Sequence, residues 1–284
     1  MRQVAPLVLV LTVAGCVGND YEPLDPNIDP ITEGDWYRPE VSTSWQWQLL
    51  VPEGQAGINT SYDVEVYDID LFDIGADEIA ALQAQGRRVI CYFSAGSWEE
   101  WRDDAGDFDD ADLGKTLDGW EDERWLNIRS PRVFEIMLAR LDLAVDKGCD
   151  GVEPDNVDGY TNKTGFELLP EDQLAFNRKL ANAAHERGLA VGLKNSGDQA
   201  AELVDYYDFS LNEQCHEYDE CDQLRPFIDA GKPVWNAEYV EPDDEATALA
   251  AAATICPEAT AAQLRTLILP LDLDDGFRVS CDEL

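Results

Sequence analysis

The stretch Gly148-Cys149-Asp150-Gly151-Val152-Glu153-Pro154-Asp155-Asn156-Val157-Asp158-Gly159-Tyr160 sets four carboxylates within nine residues, between glycines and around a proline. Apolar residues before it (Val133, Ile136, Met137, Leu141, Ala144) recur at helical spacing, so a helix over 133–147 stops at Gly148. Residues 151–155 then read as a short strand, with Asn156 opening the loop that leaves it. Alternate side chains of a strand share a face, so Glu153 and Asp155 point the same way. Paired carboxylates at the carboxyl end of a strand are where α/β enzymes place acid–base and nucleophilic groups. The plainer reading, an acidic loop in an acidic protein, is outweighed by matching strand ends elsewhere in the chain.

Outward from this stretch, short apolar runs alternate with helical patterns. Strands are expected at 45–49, 64–68, 88–93, 151–155, 190–194, 208–212, 233–237 and 266–270. Helices are expected at 77–85, 132–147, 171–187, 200–206, 224–230 and 244–263, and residues 98–130, heavy in Trp and Asp, read as a lid or rim. Eight such strands imply an α/β fold, a single (β/α)8 TIM-type barrel. An open doubly wound sheet is the alternative, but the glycine-rich nucleotide turn of that fold is missing from the sequence.

The chain has 284 residues, 45% of them hydrophobic, enough for one large core. Its formal charge is −39, which argues against nucleic acid as a partner. The acidity is spread along the whole chain, as adaptation to salt would leave it, with attraction of a cationic substrate as a by-product.

Arg2, an apolar run over 4–13 and Val13-Ala14-Gly15-Cys16 read as a lipoprotein signal over residues 1–15. The run is too short to span a bilayer. Cys16 is the expected lipidation site, residues 16–40 an acidic tether and 41–284 the folded domain. The expectation is an exported monomer held to the bacterial envelope, periplasmic or at the outer surface, by a lipid anchor alone. Six further cysteines allow fifteen pairings. Proximity favours Cys215–Cys221 and Cys256–Cys281, leaving Cys91–Cys149 between strands three and four. A metal site is not expected, because the two histidines are not at ligand spacing and no CxxC occurs. No cofactor is implied.

A barrel gathers its site at the carboxyl ends of its strands. Reading those ends gives Trp47, Asp70, Tyr92, Ser94, Glu153, Asp155, Asp158, Lys194, Asn195, Glu213, Glu238 and Tyr239. Carboxylates, amides and indoles together make the inventory of a carbohydrate site. Trp47 also suits barrel packing, Lys194 suits a structural ion pair with Glu153, and Glu238 suits a role of holding Lys194.

The strings WQWQL, DIDLF, ICYFSAGSWEEWR, GCDGVEPDNVDGY, LKN, NEQC and AEY resemble glycoside hydrolase family 114 over residues 45–269. The resemblance implies a (β/α)8 barrel, endo-α-1,4-polygalactosaminidase activity, an amino-sugar polysaccharide as partner, and Asp155 with Glu213 as the catalytic pair. One departure is Asn127 in Trp125-Leu126-Asn127-Ile128-Arg129, where the family often carries aspartate. Within the pair, the short, rigidly aimed Asp155 suits the nucleophile, kept ionised by Lys194, and the longer Glu213 suits the general acid. A non-catalytic carbohydrate-binding or cell-surface scaffold lipoprotein on the same barrel is the competing class.

Overall fold

The computed structural model describes residues 24–284, so the expected signal over residues 1–15 and the expected lipidation site Cys16 lie outside the described residues. Eight strands run parallel: β1 (Trp45–Gln48), β2 (Val66–Asp70), β3 (Arg88–Ser94), β7 (Gly151–Asp155), β8 (Ala190–Lys194), β9 (Phe209–Glu213), β10 (Val234–Glu238) and β11 (Arg265–Ile268). A ninth strand, β12 (Val279–Ser280), joins β11 antiparallel. Register is unbroken from Asp70 through Tyr92 to Glu153, and from Ser94 to Asp155. The first and eighth strands meet where Trp45 Nε1 donates to the Arg265 carbonyl at 2.8 Å, and just beyond their ends the backbone N–H groups of Leu49 and Leu50 donate to the Leu273 carbonyl. The sheet thus curls into the expected TIM-type barrel.

Every second residue of these strands faces inward and packs a dry lower core of Trp45, Val66, Ile90, Ala190, Phe209, Leu211, Trp235 and Leu267. Trp235 stacks on Trp45 (5.6 Å between ring centroids) and tilts against Phe209 at 4.3 Å. Gly192 makes this possible, because a Cβ there would sit 2.2 Å from the Phe209 ring. On the inward face the buried charged groups Asp68, Asp70, Glu153 and Lys194 lie above this core, towards the strand ends.

Six helices pack outside: α1 (Ala76–Gln83), α2 (Pro131–Lys147), α3 (Pro170–His185), α4 (Ala200–Leu203), α5 (Arg225–Asp229) and α6 (Glu245–Ala262). The helix before the acidic stretch begins at a proline and ends at Gly148, whose φ of 86° is the left-handed cap the sequence called for. Among the described residues no helix separates β1 from β2 and none is long and apolar enough to cross a membrane. The three disulfides pair as expected, Cys91–Cys149, Cys215–Cys221 and Cys256–Cys281, which are bonds of an oxidising compartment.

Two segments hold more structure than the sequence reading expected. Residues 98–130, read as a lid or rim, form a rim with its own antiparallel sheet, β4 (Ser97–Glu99), β5 (Leu113–Leu117) and β6 (Trp120–Leu126), in the order β4-β6-β5. Buried ion pairs fasten it to the barrel: Arg102 to Asp70 (2.6 Å) and Glu99 (2.8 Å), and Arg140 of α2 to Glu99 (3.4 Å) and Asp104 (2.8 Å). The second segment is residues 24–40, read as part of the tether, which lie instead against the barrel. Trp36 is buried and stacks on His185 at 4.1 Å. Its Nε1 donates to Asp208 Oδ1, the His185 ring bonds both the Ile31 carbonyl and Asp208 Oδ2, and Asn182 accepts from the Ile31 backbone. A Pro- and Asp-rich composition reads as tether, but one tryptophan with a partner for its indole N–H anchors it.

Asp208 also accepts the Val191 N–H at 3.0 Å, so Asp208→Ala leaves three buried donors without a partner. The expected cost is about 3–5 kcal/mol, measured by urea unfolding at neutral pH. A cost below about 1 kcal/mol would mean that the strap is not held at this point.

Candidate active site

Three consecutive barrel strands deliver the central groups. Asp155 ends β7, Lys194 ends β8 and Glu213 ends β9. The residue following each strand, Asn156 (φ 60°), Asn195 (φ 47°) and Gln214 (φ 61°), is left-handed, so the chain turns away sharply at the site. Non-glycine residues hold this conformation where surrounding contacts fix it. Gly96 does part of that fixing: a Cβ on it would meet the Asn156 carbonyl oxygen at 1.7 Å.

Lys194 is 2% exposed and binds three carboxylates at once: Glu153 Oε1 at 2.9 Å, Asp155 Oδ1 at 3.1 Å and Glu213 Oε2 at 3.4 Å. Its Nζ also lies 4.7 Å from the Trp47 ring centroid. Burial alone would lower the ammonium pKa, but the carboxylates, Asp155 foremost, hold it well above the ordinary lysine range. The two oxygens of Asp155 and Glu213 that share this ammonium are at most 6.5 Å apart, the sum of their two distances from it.

Each outer carboxylate has its own hydroxyl. Tyr92 donates to Asp155 Oδ2 at 3.0 Å and Tyr239 to Glu213 Oε1 at 2.6 Å. Burial first, then the neighbouring carboxylates, raise both phenols well above their ordinary range, so both remain O–H donors. Asn156 N–H completes Asp155 (2.7 Å), and Asn195 Nδ2 completes Glu213 (3.1 Å). Below them, Asp68 and Glu153 are fully buried. Burial and then the neighbouring Glu153 push the Asp68 carboxyl well above the usual carboxylate range. Glu153 itself is pushed up to about 7 by burial, against the pull of Lys194.

These groups floor an open cleft of about 1010 Å³ at the carboxyl end of the barrel. Trp47, Asp70, Tyr92, Asp155, Asp158, Lys194, Asn195, Glu213 and Tyr239 all line it, as the sequence reading placed them. Asp70 is nonetheless spent on Arg102 and on the N–H groups of Phe72 and Asp73. Three expected contact residues are out of reach. Glu153 lies beneath Lys194, Ser94 is covered by its bond to Ser97 (2.6 Å), and Glu238 accepts His216 N–H and Asn236 Nδ2. Asn127 is buried away from the cleft against Arg129, so that departure does not touch the site.

Sequence reading placed a lid or rim at residues 98–130 but did not pick out the residues that face the cleft. Trp101, Trp120 and Tyr218 are the large aromatics that remain exposed among the described residues, and all three line this cleft. Glu123 of β6 also lines it, and burial pushes its carboxyl up to about 7. The tryptophan content of 98–130 was the available signal; which ones face the cleft depends on the pairing of β4 with β6. The cluster of Cys215, His216 and Cys221 has the spacing of a metal site, but both sulfurs are in a disulfide.

A parallel barrel with two carboxylates facing each other under an open, tryptophan-rimmed cleft defines the class: this is a glycoside hydrolase. Residues 28–284 match the model of glycoside-hydrolase family GH114, and the chain belongs to that family. The crystal structure of Aspergillus fumigatus Ega3 in complex with galactosamine is similar at 46% identity and a TM-score of 0.81, over 88% of this chain and 99% of that one. The glycoside hydrolase domain of PelA from Pseudomonas aeruginosa shares the fold, with 14% identity and a TM-score of 0.65 over 84% of this chain and 98% of that domain. A comparison with curated protein sequences finds no significant match.

The buried carboxyls set a pH dependence. Glu123, Glu153 and Asp158 reach about 7, 7 and 6, raised first by burial. A folded pKa above the unfolded one means the folded protein holds protons that the unfolded chain has released. Their stabilisation is therefore complete in acid and lost as pH rises towards 7. His216, pushed down by burial, works the other way but is one group. The melting temperature is expected to be higher at pH 5 than at pH 8. A higher value at pH 8 would show that these carboxyls are not buried as described.

Proposed function

We propose that the protein cleaves α-1,4-linked galactosamine-containing polysaccharide, endo-acting and with retention, and that it is exported and lipid-anchored through Cys16. The observation that carries the catalytic reading is the ammonium shared by Asp155 and Glu213. It limits the gap between their facing oxygens to 6.5 Å, whereas inverting enzymes space the two carboxyls about 6.5–9.5 Å apart to admit a water and retaining ones about 5–5.5 Å.

Asp155 attacks the anomeric carbon while Glu213 gives its proton to the leaving oxygen. Glu213, now ionised, takes a proton from the water that releases the sugar from Asp155. The Tyr239 hydroxyl is a donor and an acceptor, so its 2.6 Å bond to Glu213 survives both states. Lys194, 3.1 Å from Asp155 and 3.4 Å from Glu213, offsets the charge of the pair. The exposed rings of Trp101, Trp120 and Tyr218 offer apolar faces along an open cleft, which suits a chain bound in its middle. Nine carboxylates and three cations line that cleft, and this imbalance favours a polymer carrying free amines. The relative crystallised with galactosamine supports the same substrate class.

Asp155→Asn is expected to abolish hydrolysis of α-1,4-galactosamine oligomers while the fold and binding persist. Glu213→Gln is expected to lose about 10²–10⁴-fold in kcat, and azide is expected to rescue Glu213→Ala in part, giving a glycosyl azide of retained configuration. Near-normal turnover by Asp155→Asn would remove the mechanism. Steering by the −39 charge makes kcat/KM on a cationic oligomer fall as salt is raised above about 0.15 M. A rise in kcat/KM with salt would tie the acidity to salt adaptation.

A further inference from the structure

Three carboxylates lining the cleft are more than nine-tenths buried: Asp70, Glu99 and Glu123. Two of them are matched by guanidinium groups, Asp70 by Arg102 and Glu99 by Arg102 and Arg140. Among the described residues Glu123, 8% exposed, has no ion pair. Its Oε2 accepts the Ser97 hydroxyl at 2.6 Å. Its Oε1 has no protein donor.

Glu123 is also fixed relative to the nucleophile. Ser97 Oγ lies 2.6 Å from Ser94 Oγ, Asn156 Nδ2 donates to Ser94 Oγ at 3.0 Å, and the same amide donates to Asp155 Oδ2 at 3.2 Å. A short chain of neutral hydrogen bonds therefore holds a carboxylate from the insertion sheet at a set distance from Asp155. A surface acid would be free to rotate into water; this one is aimed.

A buried carboxylate with one oxygen unmatched is costly unless a cation completes it. A metal ion is a poor candidate, since no other His, Cys or carboxylate joins Glu123 in a ligand cluster among the described residues. An ammonium group needs one carboxylate oxygen and open space, and both are present. Burial, with Glu99 and Asp155 adding to it, leaves the empty site's carboxyl at about 7, so an arriving cation would complete its ionisation.

We propose that Glu123 is the specificity residue of the cleft, its free Oε1 taking the ammonium of an amino sugar seated beside Asp155. The assignment rests on the reading of the protein as a galactosaminidase and deepens it. An N-acetylated sugar presents a neutral amide there and forfeits a charge-assisted hydrogen bond, while a Glu123 stripped of charge no longer tells the two apart.

Two measurements test this. The first compares wild type with Glu123→Gln on α-1,4-linked galactosamine oligomers and their N-acetylated counterparts. The amide keeps an acceptor for Ser97, and the melting temperature checks the fold. KM for the free-amine oligomer is expected to rise about 10–100-fold, the range of one charged hydrogen bond, with kcat within a few-fold and the N-acetylated oligomer handled no worse. An equal collapse of kcat on both oligomers would overturn the assignment and make Glu123 part of the acid–base chemistry. Unchanged KM would overturn it as well. The second measures binding of galactosamine and of galactose by calorimetry, which needs no turnover. Wild type is expected to prefer galactosamine and Glu123→Gln to lose that preference. If wild type hydrolyses neither oligomer, the galactosaminidase reading fails while this binding contrast still decides the role of Glu123. Equal affinity of wild type for the two sugars would refute it.

Discussion

The buried ammonium of Lys194 is the constraint on which the upper barrel depends. Removing a charge from water costs several kcal/mol even after relaxation, so it is tolerated only where opposite charges and good geometry offset the loss. Here three carboxylates from two flanking strands converge on one nitrogen, and the strands that carry them must keep register for the convergence to exist. Truncating Lys194 would therefore push the buried Glu153 further towards its protonated form and leave Asp155 facing Glu213 without a counter-charge. The same contacts that fix the fold at this level set the spacing of Asp155 and Glu213. Stability and chemistry are not separable at this nitrogen.

A second layer of ion pairs carries the rim. Arg102 and Arg140 lie under the insertion sheet and bind Asp70, Glu99 and Asp104, while Arg140 also donates to the Ser94 carbonyl at 2.6 Å. Ser94 ends the strand paired with β7, two residues before Gly96, which packs on Asn156. The rim is thereby tied to the backbone that turns away from Asp155. Guanidinium forks suit this role because one group satisfies two carboxylates in fixed directions. A cleft wall built this way presents Glu123 and Trp120 on a rigid strand, not on a loop that must order itself on binding.

How far the sequence was legible follows from what each pattern encodes. Short, nearly continuous apolar runs located all eight strands to within about two residues, because strands buried on both faces carry apolar side chains on both. The strap was missed because Pro and Asp dominate its composition and its attachment depends on Trp36 finding Asp208 and His185, residues far away in sequence. Within the site, strand-end position gave the neighbourhood but not the depth or the face. Glu153 shares the inner face with Asp155 one layer lower, where Lys194 covers it. Glu238 and Tyr239 are adjacent, so only one of them can face inward, and Tyr239 does because Trp235 and Ala237 already do. Parity from the buried tryptophan would have decided that pair from sequence alone. Glu123 had no such signal, since the β5–β6 pairing is irregular.

The excess of acid has two physically distinct parts. Only six residues are lysine, and several cations serve the interior: Lys147 caps the carbonyls of Leu71, Phe72 and Ile74, Lys232 those of Val204 and Tyr207, and Lys194 the site. With these cations committed inward and 59 acidic residues against 20 basic ones, the solvent-facing charge is predominantly negative. That outer charge acts at long range and fades beyond about 8 Å at physiological salt. The carboxylates at the floor and inner wall of the cleft (Asp155, Glu213 and Glu123) are different, because fixed partners and lower exposure shield them from counter-ions. The outer field brings any polycation near the protein and cannot tell one from another. Discrimination has to come from the few carboxylates whose position is set by the fold, and those are the ones held by the strands β6, β7 and β9.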